Sequence, residues 1–319
     1  LGSSYFSTPN PTVGAVFSYY LKEDIKTLKQ KRKDAEKAKA DKKQKVFYPS
    51  IDSLRMEDGQ PEPYLLFTIK DQGGNVIRHL KAAAKKGLQR MVWDFKYTTP
   101  ASVTNRYTPA PDQLFGGPEE GHLAAPGQYS VTLSKYEDGL LSEMAGPVTF
   151  AVKLLEQNSL PVDLNANVVF NKQVADLRKA VTAANDLVNT MATRLANINL
   201  AAQDMPAPPK AILEKAYGLS QQLSKVRVKL LGDQTKAQRE FETLPSIGNR
   251  VSGIEGNTFG VTTQVPQLYR DSYGVASKEF TQVLDEMKRI HEAMTQVERE
   301  LEINHAPYTP GRWPEWKGN

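Results

Sequence analysis

The sequence predicts an α+β chain of two domains: an antiparallel β-sandwich carrying a charged helical insertion, then an antiparallel three-helix bundle with coiled-coil-like seams. Three observations predict it. The length, 319 residues, is too great for one ordinary domain and comfortable for two. Apolar residues alternate with period two in several short runs before about residue 155. From Asn165 onward the apolar spacing changes to a 4-3 repeat, the pattern of helices that pack along a narrow seam.

The strands come first. In PTVGAVFSYYL, Val13, Ala15, Phe17, Tyr19 and Leu21 share one face. YLLFTIK (64–70) alternates Leu65, Phe67 and Ile69, and VIRHL (76–80) returns after DQGGN, which has the glycines of a hairpin turn. LQRMVWDFKY (88–97) sets Met91, Trp93 and Phe95 against Leu88, Arg90 and Val92. QYSVTLSKY (128–136) and GPVTFAVKLL (146–155) complete six or seven short strands, the number a sandwich needs. The predicted first domain is 1–157, with Trp93 buried among Phe17, Phe67, Ile69, Val131 and Phe150.

Two insertions interrupt this domain. Residues 22–60 open with a lysine-rich run that has helix-forming residues and almost no apolar stripe, so it predicts a solvated helix or hairpin off the sheet. Residues 98–127 form a long Pro/Gly-rich loop, and loops of that length usually have a function or are mobile. The polar stretch 156–166 reads as the linker to the second domain, 163–319.

There, Phe170, Val174, Leu177, Val181, Ala184, Val188, Met191, Leu195 and Ile198 keep the 4-3 spacing over about 35 residues, roughly 50 Å of helix. Ile212, Ala216, Leu219, Leu223, Val226 and Leu230 repeat it, as do Ala276, Phe280, Val283, Met287, Ile290, Met294, Val297 and Leu301. Three such stripes in one chain can satisfy one another. Arg178, Asn185, Lys225 and Glu292, between seam positions, should face water or a partner. Residues 232–270 read as a loop with one short helix. The tail HAPYTPGRWPEW, with three prolines, is not helical, and Tyr308, Trp313 and Trp316 are expected to pack back on the fold.

Composition narrows the chemistry. The chain has no cysteine, which excludes disulfides, thiolate metal sites and a cysteine nucleophile. No apolar run is long enough to predict a transmembrane segment. Of the net charge of +5, residues 22–45 hold 11 Lys/Arg against 5 Asp/Glu; the rest of the chain, with 30 basic and 31 acidic residues, is close to neutral. The basicity therefore belongs to one segment, without an aromatic between Tyr20 and Phe47 to stack a base, and does not predict a nucleic-acid partner. The four histidines have no metal-ligand spacing, and there is no P-loop, G-x-S-x-G or G-x-G-x-x-G. Gly232 of GDQTK fits a helix C-terminus better than a phosphate loop. The expectation is no catalytic residue, no cofactor and no metal. LGSSYFSTPN has neither a basic n-region nor an apolar h-region, so the chain is expected to be a piece of something longer.

Taken together, PNPTVGAVFSYYLKE, the charged insert, the D-x-x-GNV hairpin, GLQRMVWDFKY and APGQYSVTL resemble the C-terminal region of bacterial sortilin-like propeller proteins, often labelled glycosyl hydrolases and frequent in Bacteroidota. LPSIGNRV (244–251) and APYTPGRWPEW (306–316) extend the resemblance over nearly the whole chain. The strand series also resembles the immunoglobulin-like domain of flagellar hook-capping proteins, with Trp93-Asp94 ending one strand and Pro126-Gly127-Gln128-Tyr129 opening a later one. The resemblance implies an Ig-like sandwich in an exported or cell-surface protein whose partner is an upstream propeller domain or another cell-envelope protein. It implies a non-catalytic structural and interaction module. The alternative is an accessory part of a glycosidase- or sialidase-like hydrolase, with the 98–127 loop reaching into a propeller cleft and Arg106, Tyr107, Glu119, Glu120 and His122 as its candidates. A third reading gives the basic segment 22–45 a tethering role.

Overall fold

The computed structural model describes residues 8, 13–103, 120–154, 162–206, 210–316 and 318, and divides the chain into two compact units. The first comprises 1–98 with 123–160, the second 99–122 with 161–319.

Among the described residues the first unit has six strands: β1 (Ala15–Leu21), β2 (Tyr64–Asp71), β3 (Val76–Ala83), β4 (Gly87–Trp93), β5 (Gly127–Glu137) and β6 (Leu140–Val152). They form two antiparallel sheets, one of β1 and β4 and one ordered β3–β2–β5–β6. Register follows the apolar alternation. Phe17 lies opposite Met91 in the small sheet, and Ile69 opposite Val131 in the large one, so both sheets turn an apolar face to one core. Phe17 stacks on Phe67 at 6.1 Å between ring centroids and meets Phe150 edge-on at 5.4 Å. Trp93 is fully buried and edge-on to Tyr129 at 5.1 Å, with Leu65 and Ile69 beside it in the same core. A large side chain in such a core contributes roughly 1.5–3 kcal/mol.

The turns use local chemistry. Asp71 accepts the Gly74 and Asn75 amides, on its backbone and side-chain oxygens respectively, and Gly74 takes φ 80°. This is the hairpin turn expected of DQGGN. β6 begins at Leu140, six residues before the sequence pattern suggested, because Asp138 and Gly139, both at positive φ, reverse the chain tightly after β5.

The charged insertion is a helical hairpin of α1 (Leu28–Asp41) and α2 (Ile51–Gly59), neither with a buried residue. Thr27 and Gln30 form a reciprocal capping box at its start. Its root is tied down by Leu28 N–H donating to Gln60 at 2.6 Å, by Gln60 bonding to Asp138, and by Lys31 pairing with Glu137 at 3.4 Å. Arg32 forks onto Glu57 at 2.7 and 2.8 Å and joins the two helices.

The second unit holds α3 (Leu164–Gln203), α4 (Lys210–Leu231), α5 (Gln234–Ala237), α6 (Ile247–Thr258) and α7 (Gln267–Ile303). All three 4-3 stripes are buried together in it, with Leu177 half-buried at their edge. Phe170 meets Tyr273 and Arg194 meets Glu298, so α3 and α7 run parallel. Lys215 pairs with Glu300 and Lys229 with Glu286, so α4 runs antiparallel to α7.

The three-helix expectation is corrected in one respect: the third column is two helices. At about 1.5 Å per residue α4 spans roughly 33 Å against roughly 60 Å for α3. The rest of the column is α6, whose Ile247, Val251 and Ile254 are buried. Gly232, with φ 92° and its amide on Val228 O, ends α4 as a C-terminal glycine. A second correction concerns the tail. Trp313 and Trp316 are 89% and 87% exposed and Tyr308 is half exposed; the tail is held by Arg312 donating to Glu302 and is braced internally by the Tyr308 hydroxyl, which accepts the Glu315 amide at 3.0 Å.

Candidate functional site

Of the loop candidates, Arg106, Tyr107 and Glu119 lie outside the described residues. Glu120 is exposed. His122 is 2% exposed and sits edge-on to Phe259 at 5.5 Å in the helical unit, so its ring is a packing element without open access to solvent. Of the two described candidates, Glu120 is therefore at the surface and His122 in the interior. No group of three or more His, Asp or Glu that could hold a metal occurs among the described residues. The other histidines are dispersed as well: His79 bonds Thr68 across β2 and β3, and His291 lies 3.1 Å from Arg194.

The polar groups that do converge lie on the bundle. Arg194 on α3 forks onto Glu298 on α7 with bonds of 3.1 and 2.8 Å, and the Glu298 side chain is almost fully buried. A planar guanidinium fits a carboxylate in this two-bond mode, which fixes the axial register of the two helices. Arg312 in the tail approaches the same carboxylate at 3.8 Å and donates to Glu302 at 2.5 Å. That hydrogen bond holds the Glu302 carboxyl below its usual range, and Glu302 in turn raises the Arg312 guanidinium. Periodicity could not reveal this network, because Glu298 stands next to the seam residue Val297 in an otherwise ordinary run of helix charges.

Farther along, Arg178 pairs with Glu255 at 3.3 Å and donates to Ser252 at 3.0 Å, joining α3 to α6. Of the four positions expected to face water or a partner, Lys225 and Glu292 are exposed, whereas Arg178 and Asn185 are half-buried, Arg178 against α6 of the same chain. Asn167 donates to Thr263 O at 2.7 Å and accepts the Val265 amide at 3.2 Å, and Asn171 donates to Thr258 O at 3.0 Å. These two buried asparagines supply the backbone partners that the turn between α6 and α7 needs. A buried asparagine inside an apolar stripe is the one sequence signal that could have marked this contact.

Beside this framework, a groove of about 660 Å³ runs between α4 and α7. Val226, Val228 and Ile290 give it apolar walls, and Lys225, Lys229, Glu286 and Arg289 edge it. Such a mixed groove suits a helix or extended segment better than a reacting small molecule.

In the strand unit, Trp93 donates its Nε1–H to Lys96 O at 2.9 Å, and the Tyr129 hydroxyl donates to Ala125 O at 2.5 Å. Burial pushes the Tyr129 phenol up to about 12. Phe95 takes φ 62°, and Asp94 accepts the Lys96 amide, so the Trp-Asp pair ends β4 in a tight side-chain-to-backbone turn.

No helix of the described residues is long and apolar enough to cross a membrane. Comparison with protein-family models, with curated proteins and with solved structures found no significant match to this chain.

Proposed function

We propose that this chain is a non-catalytic structural and interaction module of a larger exported or cell-surface protein, an Ig-like sandwich joined to a rigid helical bundle. The observation that carries the reading is the use made of the ionisable groups in the bundle. Arg194–Glu298, Arg178–Glu255, Lys215–Glu300 and Lys229–Glu286 each join two different helices. The two arginine pairs are buried or half-buried, and pairs of that kind favour one arrangement of helices more than they add stability; the two lysine pairs lie at the surface and add little. A bundle with fixed register and an open α4–α7 groove suits the presentation of a binding surface. The Ig-like assignment rests on the buried Trp93 and on the Tyr129 hydroxyl bonded to backbone four residues upstream, a device such sandwiches share. The upstream propeller and the envelope location rest on the sequence resemblance.

Two measurements test it. On a panel of chromogenic glycosides, the chain and its Glu120→Gln variant should both turn over at the buffer rate. Turnover that disappears in Glu120→Gln would sink the non-catalytic reading and leave the hydrolase accessory. Peptide mapping of the native protein should find propeller repeats ahead of Leu1; a mature protein without them would remove the propeller from the reading.

A further inference from the structure

The α1–α2 hairpin ends in a tip whose side chains are exposed. α1 leaves the root at Leu28 and rises for 14 residues, about 21 Å at 1.5 Å per residue. It closes in a complete Schellman turn: Lys43 N–H donates to Ala40 O and Gln44 N–H to Lys39 O, both at 2.9 Å, with Lys43 at φ 57°. Glycine is the residue favoured at that left-handed position, yet the sequence places a lysine there. After an extended stretch, Ser50 caps α2 by accepting the Ser53 amide at 3.2 Å. The tip is therefore a defined turn between two capped helices.

Two kinds of side chain crowd it. Lys37, Lys39, Lys42, Lys43 and Lys45 are exposed, and none is ion-paired with a described residue, whereas Lys26, Lys31 and Arg32 near the root all are. Directly after them Phe47 is 78% and Tyr48 86% exposed, and Val46 and Ile51 are exposed too. Large apolar side chains clustered at the end of a projecting hairpin have no packing role within the unit, and such patches mark contact sites.

We propose that this tip is a peripheral docking site for an anionic lipid bilayer. Its lysines would lie over the headgroups while Phe47, Tyr48 and Ile51 enter the interfacial layer. The charge complements a negative surface, and the aromatics suit a zone where one end of the ring is apolar and the other wet. A single-stranded polyanion would use the lysines and the two rings, but would leave Val46 and Ile51 without a partner. A bilayer interface accepts all of them. The site needs no spanning segment.

The test is flotation of the full chain with vesicles of phosphatidylcholine containing about 30% phosphatidylserine, against phosphatidylcholine alone, at about 0.1 M salt. The chain should float with the anionic vesicles only. At roughly fivefold per lysine, K39Q/K42Q/K43Q/K45Q should weaken partition by about 600-fold. F47A/Y48A should weaken it by about tenfold or more, with the helical circular dichroism of both variants unchanged because α1 and α2 bury no residue. Failure of the unaltered chain to float overturns the proposal. So does an F47A/Y48A variant that floats normally, which would leave only a basic ridge. Tighter binding to a single-stranded oligonucleotide that is lost in F47A/Y48A would assign the tip to nucleic acid instead.

Discussion

At the scale of single residues, Trp93 and Glu298 are both nearly inaccessible to water but carry different kinds of energy. Trp93 touches Phe95, Tyr129 and Phe150 and satisfies its only donor on Lys96 O. Trp93→Ala should cost roughly 3–5 kcal/mol in chemical denaturation of the strand unit. A loss below about 1 kcal/mol would contradict its place in the core. Glu298 is held by Arg194, and its removal leaves a guanidinium in a place with little water. Glu298→Ala should therefore cost about 3 kcal/mol, near the low end for a broken buried pair because Arg194 keeps some exposure. R194M/E298L, which removes both charges, should recover most of that loss. A double-mutant cycle in urea measures the difference. Trp93 was legible in the sequence because strand alternation puts residue 93 on the face shared by Met91. Glu298 was not, since a glutamate beside a seam position reads as solvated until Arg194 is known to lie opposite.

At the scale of elements, long periodic stripes were legible and short ones were not. α3, α4 and α7 each repeat the 4-3 spacing over three or more turns of helix, and every one of those seam positions except Leu177 is fully buried. α6 has only Ile247, Val251, Ile254 and Thr258 to mark it, and Gly248, Gly253 and Gly256 lower its helix propensity. One of these glycines has a packing reason. A Cβ on Gly248 would stand 2.8 Å from Leu230 O, where α6 enters the column that α4 leaves. Gly248→Ala should therefore destabilise the helical unit by about 1–3 kcal/mol, whereas Gly256→Ala, which meets nothing within 4 Å, should stabilise it slightly. Equal effects would mean that propensity, not the close approach, decides position 248. The tail latch has a pH signature. The Glu302 carboxyl is held below its ordinary 4.5 by Arg312. A depressed carboxylate contributes stability above its unfolded value, and that stability is lost as pH falls through the folded one. The melting temperature should thus hold steady from pH 7 to about 5 and fall below about 4.5. In Arg312→Ala that acid-side fall should be shallower. An unchanged acid limb would show that the latch does not couple to folding.

At the scale of the whole molecule, the division of contacts cuts across the order of the chain. Residues 99–122 are threaded between β4 and β5, yet they belong to the helical unit, where Ser102 donates to Asp186 at 2.7 Å and His122 packs on Phe259. Composition marked 98–127 as a long loop, but nothing in its Pro/Gly pattern says which unit it joins, because that depends on two contacts with α3 and with the end of α6. This changes what a cut at the polar linker should do. Fragment 163–319 retains all three seam stripes, each needing only the others, so it should fold as a helical monomer. It lacks His122 and Ser102, however, and leaves Phe259 uncovered and Asp186 without that hydroxyl. Its unfolding free energy from urea denaturation should lie below that of the helical transition in the full chain, by roughly 1–3 kcal/mol. His122→Ala in the full chain should reproduce much of the deficit, and Ser102→Ala a smaller part, since a hydroxyl bonded to a carboxylate on a half-buried surface contributes about 1 kcal/mol. The fragment and His122→Ala should approach each other in stability, because the same contact is missing from both. If the fragment matches the full chain while His122→Ala is destabilised, the loop's contribution lies in avoiding a buried hole and not in covering Phe259. If neither loses stability, the Ser102 and His122 contacts do not hold the helices, and the helical unit needs nothing before residue 163 to reach its full stability.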